Sequence, residues 1–235
     1  MRVFNTEPEY RNPNPFLPTH PGLIQISGST GSGKSNLLLN ICLDPQCAYD
    51  VLVIIYGVMQ PKLQLLKKQF KGKGGVHLIE GVPTGDGEQK AQAMLEKFFK
   101  QGYQSAVILE DVMSEVEKSK WASRLFTQGS HHLNLSVISL MQRVFASREQ
   151  RLQSSFVVLM SFPADKTAIM SLARQLMPES PGTVMQMYNQ ATSKKYGWLG
   201  IDLRAERDGN PLLKWRDSSF SRVFDPSLVK STSAQ

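Results

Sequence analysis

Leu23-Ile24-Gln25-Ile26-Ser27-Gly28-Ser29-Thr30-Gly31-Ser32-Gly33-Lys34-Ser35 joins a short apolar run to a complete G-x-x-x-x-G-K-[ST] string. The run Leu23 to Ser27 predicts a strand, and Asn36 to Cys42 has helical spacing. The string therefore stands in the strand–loop–helix setting that separates a phosphate loop from a chance match. Gly28, Gly31 and Gly33 admit torsions and a close backbone approach that a Cβ obstructs, so the amides of Gly28, Ser29, Thr30, Gly31, Ser32, Gly33, Lys34 and Ser35 can converge on oxyanions. The helix start adds the positive end of its dipole. Lys34 is expected to reach the β- and γ-phosphates as a mobile point charge, and the Ser35 hydroxyl to bind Mg²⁺.

Outward from this loop, β-branched runs alternate with helical stretches. Leu23 to Ser27, Val51 to Ile55, Val76 to Ile79, Ala106 to Leu109, Leu135 to Leu140, Phe156 to Met160 and Tyr196 to Leu203 are expected as strands. Ser35 to Cys42, Lys62 to Phe70, Glu88 to Phe99, Glu115 to Thr127 and Thr167 to Leu176 are expected as helices. Strands that lack polar alternation must be buried on both faces, so the pattern predicts an α/β fold: a mostly parallel sheet sandwiched by helices in a single domain. That domain is expected over residues 22–204. Residues 1–21, with prolines at 8, 13, 15, 18 and 21, are expected to form a proline-rich arm, and residues 205–235 an extension with a frayed tail.

The composition agrees. The 235 residues carry 27 basic and 20 acidic side chains, a formal charge of +7, with 41% hydrophobic residues. That is ordinary for a globular chain and excludes wholesale disorder. The longest apolar stretches are about half of the roughly 20 residues a spanning helix needs, so no membrane insertion is expected. The polar, proline-rich start argues against a secretion signal, and hence for a reducing compartment. Cys42 and Cys47 lack a second Cys/His pair at metal-binding spacing and are expected to be idle thiols.

A second chemical element follows the strand Ala106 to Leu109, which ends in Glu110-Asp111. The carboxyl ends of the strands are where an open α/β sheet binds its ligands. One carboxylate can hold the Mg²⁺ shell while the other polarises an attacking water. Either Glu110 takes the metal side and Asp111 the water, or the strand ends one residue later and Asp111 serves the metal with Glu110 or Glu115 near the water. A third element is Gln142, which ends the strand begun at Leu135 and is suited to hydrogen-bond a γ-phosphate or the attacking water. His131 and His132 have no third ligand in register and are expected to be structural.

These residues resemble the FtsK–HerA superfamily of P-loop ATPases, and within it the small genome-packaging ATPases of icosahedral double-stranded DNA viruses. The resemblance rests on Gly28 to Ser35, Val107 to Asp111, the run Gly129 to Ile138 leading to Gln142, and Tyr196 to Asp202. It implies the RecA/ASCE form of the P-loop fold, with Lys34 and Ser35 on phosphate and Mg²⁺, Glu110 and Asp111 as the acidic motif, and Gln142 as a sensor-like amide. ATP is the nucleotide it implies. It also implies a homo-oligomeric ring, a pentamer or hexamer at a capsid vertex, in a virus-encoded protein that works inside the host cell and in the virion. An arginine from a neighbouring subunit is then expected to act on the transferred phosphoryl group, with Arg148 and Arg124 preferred over Arg143 and Arg151.

No acid stands between Val51 and Ile79, whereas Lys62, Lys67, Lys68, Lys71 and Lys73 do. A flexible glycine-rich loop carrying Lys71 and Lys73 is expected to follow a DNA backbone without reading bases. The leading expectation is thus an ATP-driven, sequence-independent double-stranded DNA translocase that packages a viral genome. The alternatives are a nucleoside monophosphate-type kinase, for which no arginine-rich lid is evident, and a nucleotide-binding vertex subunit with negligible turnover.

Overall fold

The computed structural model describes residue 18, residues 20–129, 132–144 and 153–204, and the backbone of 215–217. Its strands are β1 (Leu23–Ser27), β2 (Val51–Tyr56), β3 (Gly75–Glu80), β4 (Ser105–Glu110), β5 (Leu135–Met141), β6 (Phe156–Leu159), β7 (Leu199–Asp202) and β8 (Trp215–Asp217). They form one sheet in the order β3-β2-β4-β5-β1-β6-β7-β8. The pairs from β3 through β6 are parallel, and β7 and β8 add antiparallel to the β6 edge. Because β5 lies between the phosphate-loop strand β1 and the acidic strand β4, the order has the RecA/ASCE arrangement that was expected.

The helices are α1 (Lys34–Leu43), α2 (Pro61–Gln69), α3 (Asp86–Lys100), α4 (Met113–Val116), α5 (Lys120–Arg124), α6 (Lys166–Leu176) and α7 (Pro181–Ala191). Alternate residues of each central strand serve opposite layers, as a period of two demands. Leu52 and Ile54 join Leu38 and Ile41 of α1 and Leu63 and Leu66 of α2 on one face. Val51, Val53 and Ile55 join Leu95 and Phe98 of α3 and Trp121 of α5 on the other. A third cluster packs α6 and α7 on Val157, Leu159, Leu199 and Ile201. Burial of the strands on both faces is what forces the parallel, helix-covered architecture.

Three local expectations change. The helix expected over Glu115 to Thr127 is divided: α4 ends at Val116, Ser119 accepts the Ala122 amide to start α5, and a π-helical turn occupies Leu125–Gly129. A serine that caps a new helix stops the old one, which periodicity alone does not register. The strand expected over Tyr196 to Leu203 shrinks to Leu199–Asp202, since Tyr196 adopts φ 64° and cannot sit in a ladder. Helix α7 was not anticipated, although Ser180-Pro181 is a start signal, with Pro at its first turn.

Candidate functional site: a phosphate loop facing a buried acid

The sheet register gathers the site at one edge. Ser27, the last residue of β1, pairs with Met141 and Leu159, while Glu110, the last of β4, pairs with Leu140 and Tyr56. From that edge the loop turns into α1. Its start is pinned by Gly28 donating to the Met141 carbonyl at 3.0 Å and Ser29 to the Ser161 carbonyl at 3.1 Å. Gly28 must be glycine, because a Cβ there would lie 2.4 Å from Ser32 Oγ and 2.8 Å from Met160 Cβ. Gly33 precedes α1 at φ 105°, and no described side chain caps the helix. The amides opening α1 are therefore available to an anion. Lys34 Nζ lies back on the loop, donating to the carbonyls of Gly28 at 2.8 Å and Ser29 at 3.1 Å. Burial lowers its pKa against the opposing pull of Glu110 and Asp111, a state that an arriving phosphate would relieve.

Across the cavity, Ser35 Oγ donates to Glu110 Oε1 at 2.7 Å. Glu110 is 3% exposed, and its Oε2 has no hydrogen-bond partner among the described residues. Burial raises its pKa; the Ser35 hydrogen bond, Lys62 and Lys34 act to lower it, and Asp111 to raise it. A buried carboxylate oxygen without a donor fits a cation beside Ser35. No group of three His, Cys, Asp or Glu gathers among the described residues. Phosphate oxygens and water would have to complete the coordination of a Mg²⁺ held there, as is usual for that ion. Asp111 follows at φ 60°, exposed and facing the same cavity, whose volume is about 390 Å³.

In fold, the chain is similar to the genome packaging NTPase B204 from Sulfolobus turreted icosahedral virus 2 in complex with ATP-gammaS. The TM-score is 0.56 at 16% identity, covering 87% of this chain and 97% of that one. Its complex with AMPPCP gives 0.55 at 16% identity, over 83% and 96% of the two chains. B204, the DNA-packaging ATPase from Sulfolobus turreted icosahedral virus, gives 0.55 at 14%, again over 83% and 96%. This is the P-loop NTPase fold. At these identities the likeness is one of architecture, and no protein-family model and no curated protein matches the sequence.

On that P-loop NTPase framework, the expected site residues divide. Gly31, Gly33, Lys34, Ser35, Glu110, Asp111 and Gln142 line one cavity together. Gln142 is exposed at the end of β5, with Thr30 Oγ1 at 3.5 Å from its Oε1. Glu115 does not line that cavity; its Oε2 accepts the Val82 amide at 3.0 Å. Arg124 does not enter the cavity; it lines a separate one of about 330 Å³ with Glu96 and His132. Arg143 pairs with Glu117 at 3.0 Å on the surface. Arg148 and Arg151 lie outside the described residues. Lys71 and Lys73 are exposed but precede β3, at the sheet edge opposite the phosphate loop. Their loop is tethered at its end: the Gly74 amide donates to the Asp50 carbonyl at 2.9 Å, and a Cβ on Gly74 would clash with Val51 Cγ2. Glycine there serves close packing.

Sequence reasoning assigned no site role to Lys62, Gln60 or Tyr196, all of which line the main cavity. Lys62 stood out only as part of a basic stretch, and Tyr196 only within a string of resemblance. Neither is near the loop in sequence, so no spacing rule connects them to it.

Proposed function

We propose that the chain is an Mg²⁺-dependent ATPase that translocates double-stranded DNA without reading its sequence and packages a viral genome into a preformed capsid. The observation that carries the enzymatic part is the 2.7 Å contact between the phosphate-loop hydroxyl of Ser35 and the buried Glu110, whose second oxygen lacks a partner among the described residues. That pairing favours the first of the two acidic assignments, with Glu110 on the metal side and Asp111 on the water side. The packaging part is supported by the motifs shared with packaging ATPases and by the genome packaging NTPases among the fold neighbours.

In this reading the amides of Gly31 to Ser35 hold the β- and γ-phosphates, and Lys34 Nζ leaves the Gly28 and Ser29 carbonyls to pair with them. Ser35 and Glu110 would hold a Mg²⁺, which would supply neutralisation of the phosphate charge. Asp111 orients the attacking water and takes up its proton as the bond to the γ-phosphorus forms and ADP departs. Gln142, just past the end of β5, hydrogen-bonds the γ-phosphate or that water and so distinguishes ATP from ADP. Arg124, which lies outside the nucleotide cavity of its own subunit, is proposed to reach the site of a neighbouring subunit in a homo-oligomeric ring at a capsid vertex. Arg148 shares that proposed role. Lys71 and Lys73 are proposed to follow the DNA backbone.

Phosphate release by the purified full-length chain, with and without duplexes of increasing length, tests the reading. Double-stranded DNA should raise turnover regardless of its sequence. Absence of hydrolysis with or without DNA overturns it, and so does stoichiometric transfer to a nucleoside monophosphate with indifference to DNA.

A further inference from the structure

A second cavity, of about 340 Å³, adjoins the phosphate loop without including Glu110, lined by Ser29 to Ser32, Ser161, Pro163 and residues 192–196. Among the described residues, Tyr196 is the one aromatic side chain lining either this cavity or the main one, and it lines both. It is 47% exposed, and its φ of 64° is a conformation that a bulky residue rarely adopts. Strained backbone of this kind persists only where the surroundings over-determine it. Here the Gly197 amide donates to the Lys194 carbonyl at 2.9 Å, and a Cβ on Gly197 would lie 2.2 Å from the Ala191 carbonyl oxygen. The ring is thereby set against the start of α1: a Cβ on Gly33 would lie 2.8 Å from Tyr196 Cδ1. Lys195 Nζ stands 5.0 Å from the ring centroid, so a displaceable solvated cation covers the ring where core packing would otherwise do so.

We propose that Tyr196 is the nucleobase platform of the site: a base stacks on its ring while the phosphates occupy the loop, with the nucleoside directed into the cavity over residues 192–196. This rests on the nucleotide-binding reading above and adds to it the element that holds the base. Stacking uses a π-face that every base possesses, so the ring supplies affinity without choosing between adenine and guanine.

The test is equilibrium titration of the full-length chain with ADP, GDP and inorganic pyrophosphate, each in the presence of Mg²⁺, for the wild type, Tyr196→Phe and Tyr196→Gly. Tyr196→Gly removes the ring and relieves the positive φ; Tyr196→Asn, which also tolerates that φ with less backbone freedom, is the second variant and should bind as Tyr196→Gly does. Tyr196→Gly should weaken ADP and GDP alike by about tenfold or more, Tyr196→Phe should bind as the wild type does, and pyrophosphate should be unaffected throughout. The inference is overturned if Tyr196→Gly binds ADP normally, if it loses pyrophosphate and ADP in proportion, or if Phe behaves like Gly. A wild-type chain that binds neither pyrophosphate nor ADP would overturn the nucleotide reading together with it. Normal wild-type binding with an indifferent Tyr196→Gly overturns the platform alone.

Discussion

Glu110 holds a buried carboxylate with one oxygen on Ser35 and the other unpartnered among the described residues. Its pKa is raised, chiefly by burial, so in the window between the ordinary glutamate value, about 4.3, and that raised value the folded chain binds more protons than the unfolded one. Stability therefore falls as pH rises through the window and stays lowered above it. Glu110→Gln keeps the acceptor for Ser35 and removes the charge. Its Tm should exceed that of the wild type at pH 7, with the difference shrinking as pH falls below the window, while Mg²⁺-dependent hydrolysis is lost. Equal pH profiles by thermal melts would contradict the buried-charge account. Lys34→Ala should cost at least about 10² in turnover, the scale of a lost transition-state donor, with the fold intact by circular dichroism; surviving hydrolysis would place the chemistry elsewhere.

At the scale of elements, the site is made by the places where strands stop and helices start. Gly33 is needed both for its φ of 105° and for the Tyr196 ring beside it, so Gly33→Ala should destabilise by about 1–3 kcal/mol and abolish nucleotide binding. Gly182, in the first turn of α7 with open space around it, is the contrast: Gly182→Ala should be neutral or stabilise by up to about 1 kcal/mol without touching function. Denaturant titration of the pair separates torsional demand from mere glycine content. The same distinction applies to the Lys71–Lys73 loop, where Gly72 and Gly74 lie close against Phe70, Asp50 and Val51, while Gly75 stands in open space at φ 71°. Apart from β8, which falls in the stretch expected as an extension, the other strands were legible to within a residue or two, because buried β-branched runs have few other solutions. The break at Ser119 and the turn at Tyr196 were not, since one hydroxyl and one torsion decided them.

Across the whole molecule, the parallel order sends every loop of one kind to the edge that carries the phosphate loop, and the Lys71–Lys73 loop to the other. Any coupling of hydrolysis to DNA binding through those lysines must therefore cross the sheet or pass between subunits. Lys71→Glu/Lys73→Glu should leave Tm unchanged, since both side chains are exposed, and should reduce the salt dependence of DNA affinity, by about 0.9 in slope for each phosphate that is no longer neutralised. An unchanged slope would remove that loop from the DNA path. Light scattering alongside turnover addresses the trans-acting arginine: full hydrolysis by a monomer would exclude a contribution from a neighbour's Arg124 or Arg148.

The string Gly28 to Ser35 and the alternation of apolar runs were sufficient by themselves for the fold class and for the strand–loop–helix setting of that string. Both depend on local torsion and on burial periodicity, which neighbouring residues carry. Tertiary structure alone decided which carboxylate meets Ser35, that Glu115 is occupied by Val82, that Arg124 faces another cavity, and that Lys62 and Tyr196 share the site. Those outcomes turn on strand register and on where a loop is pinned, which pair residues distant in the chain, so sequence spacing holds no record of them.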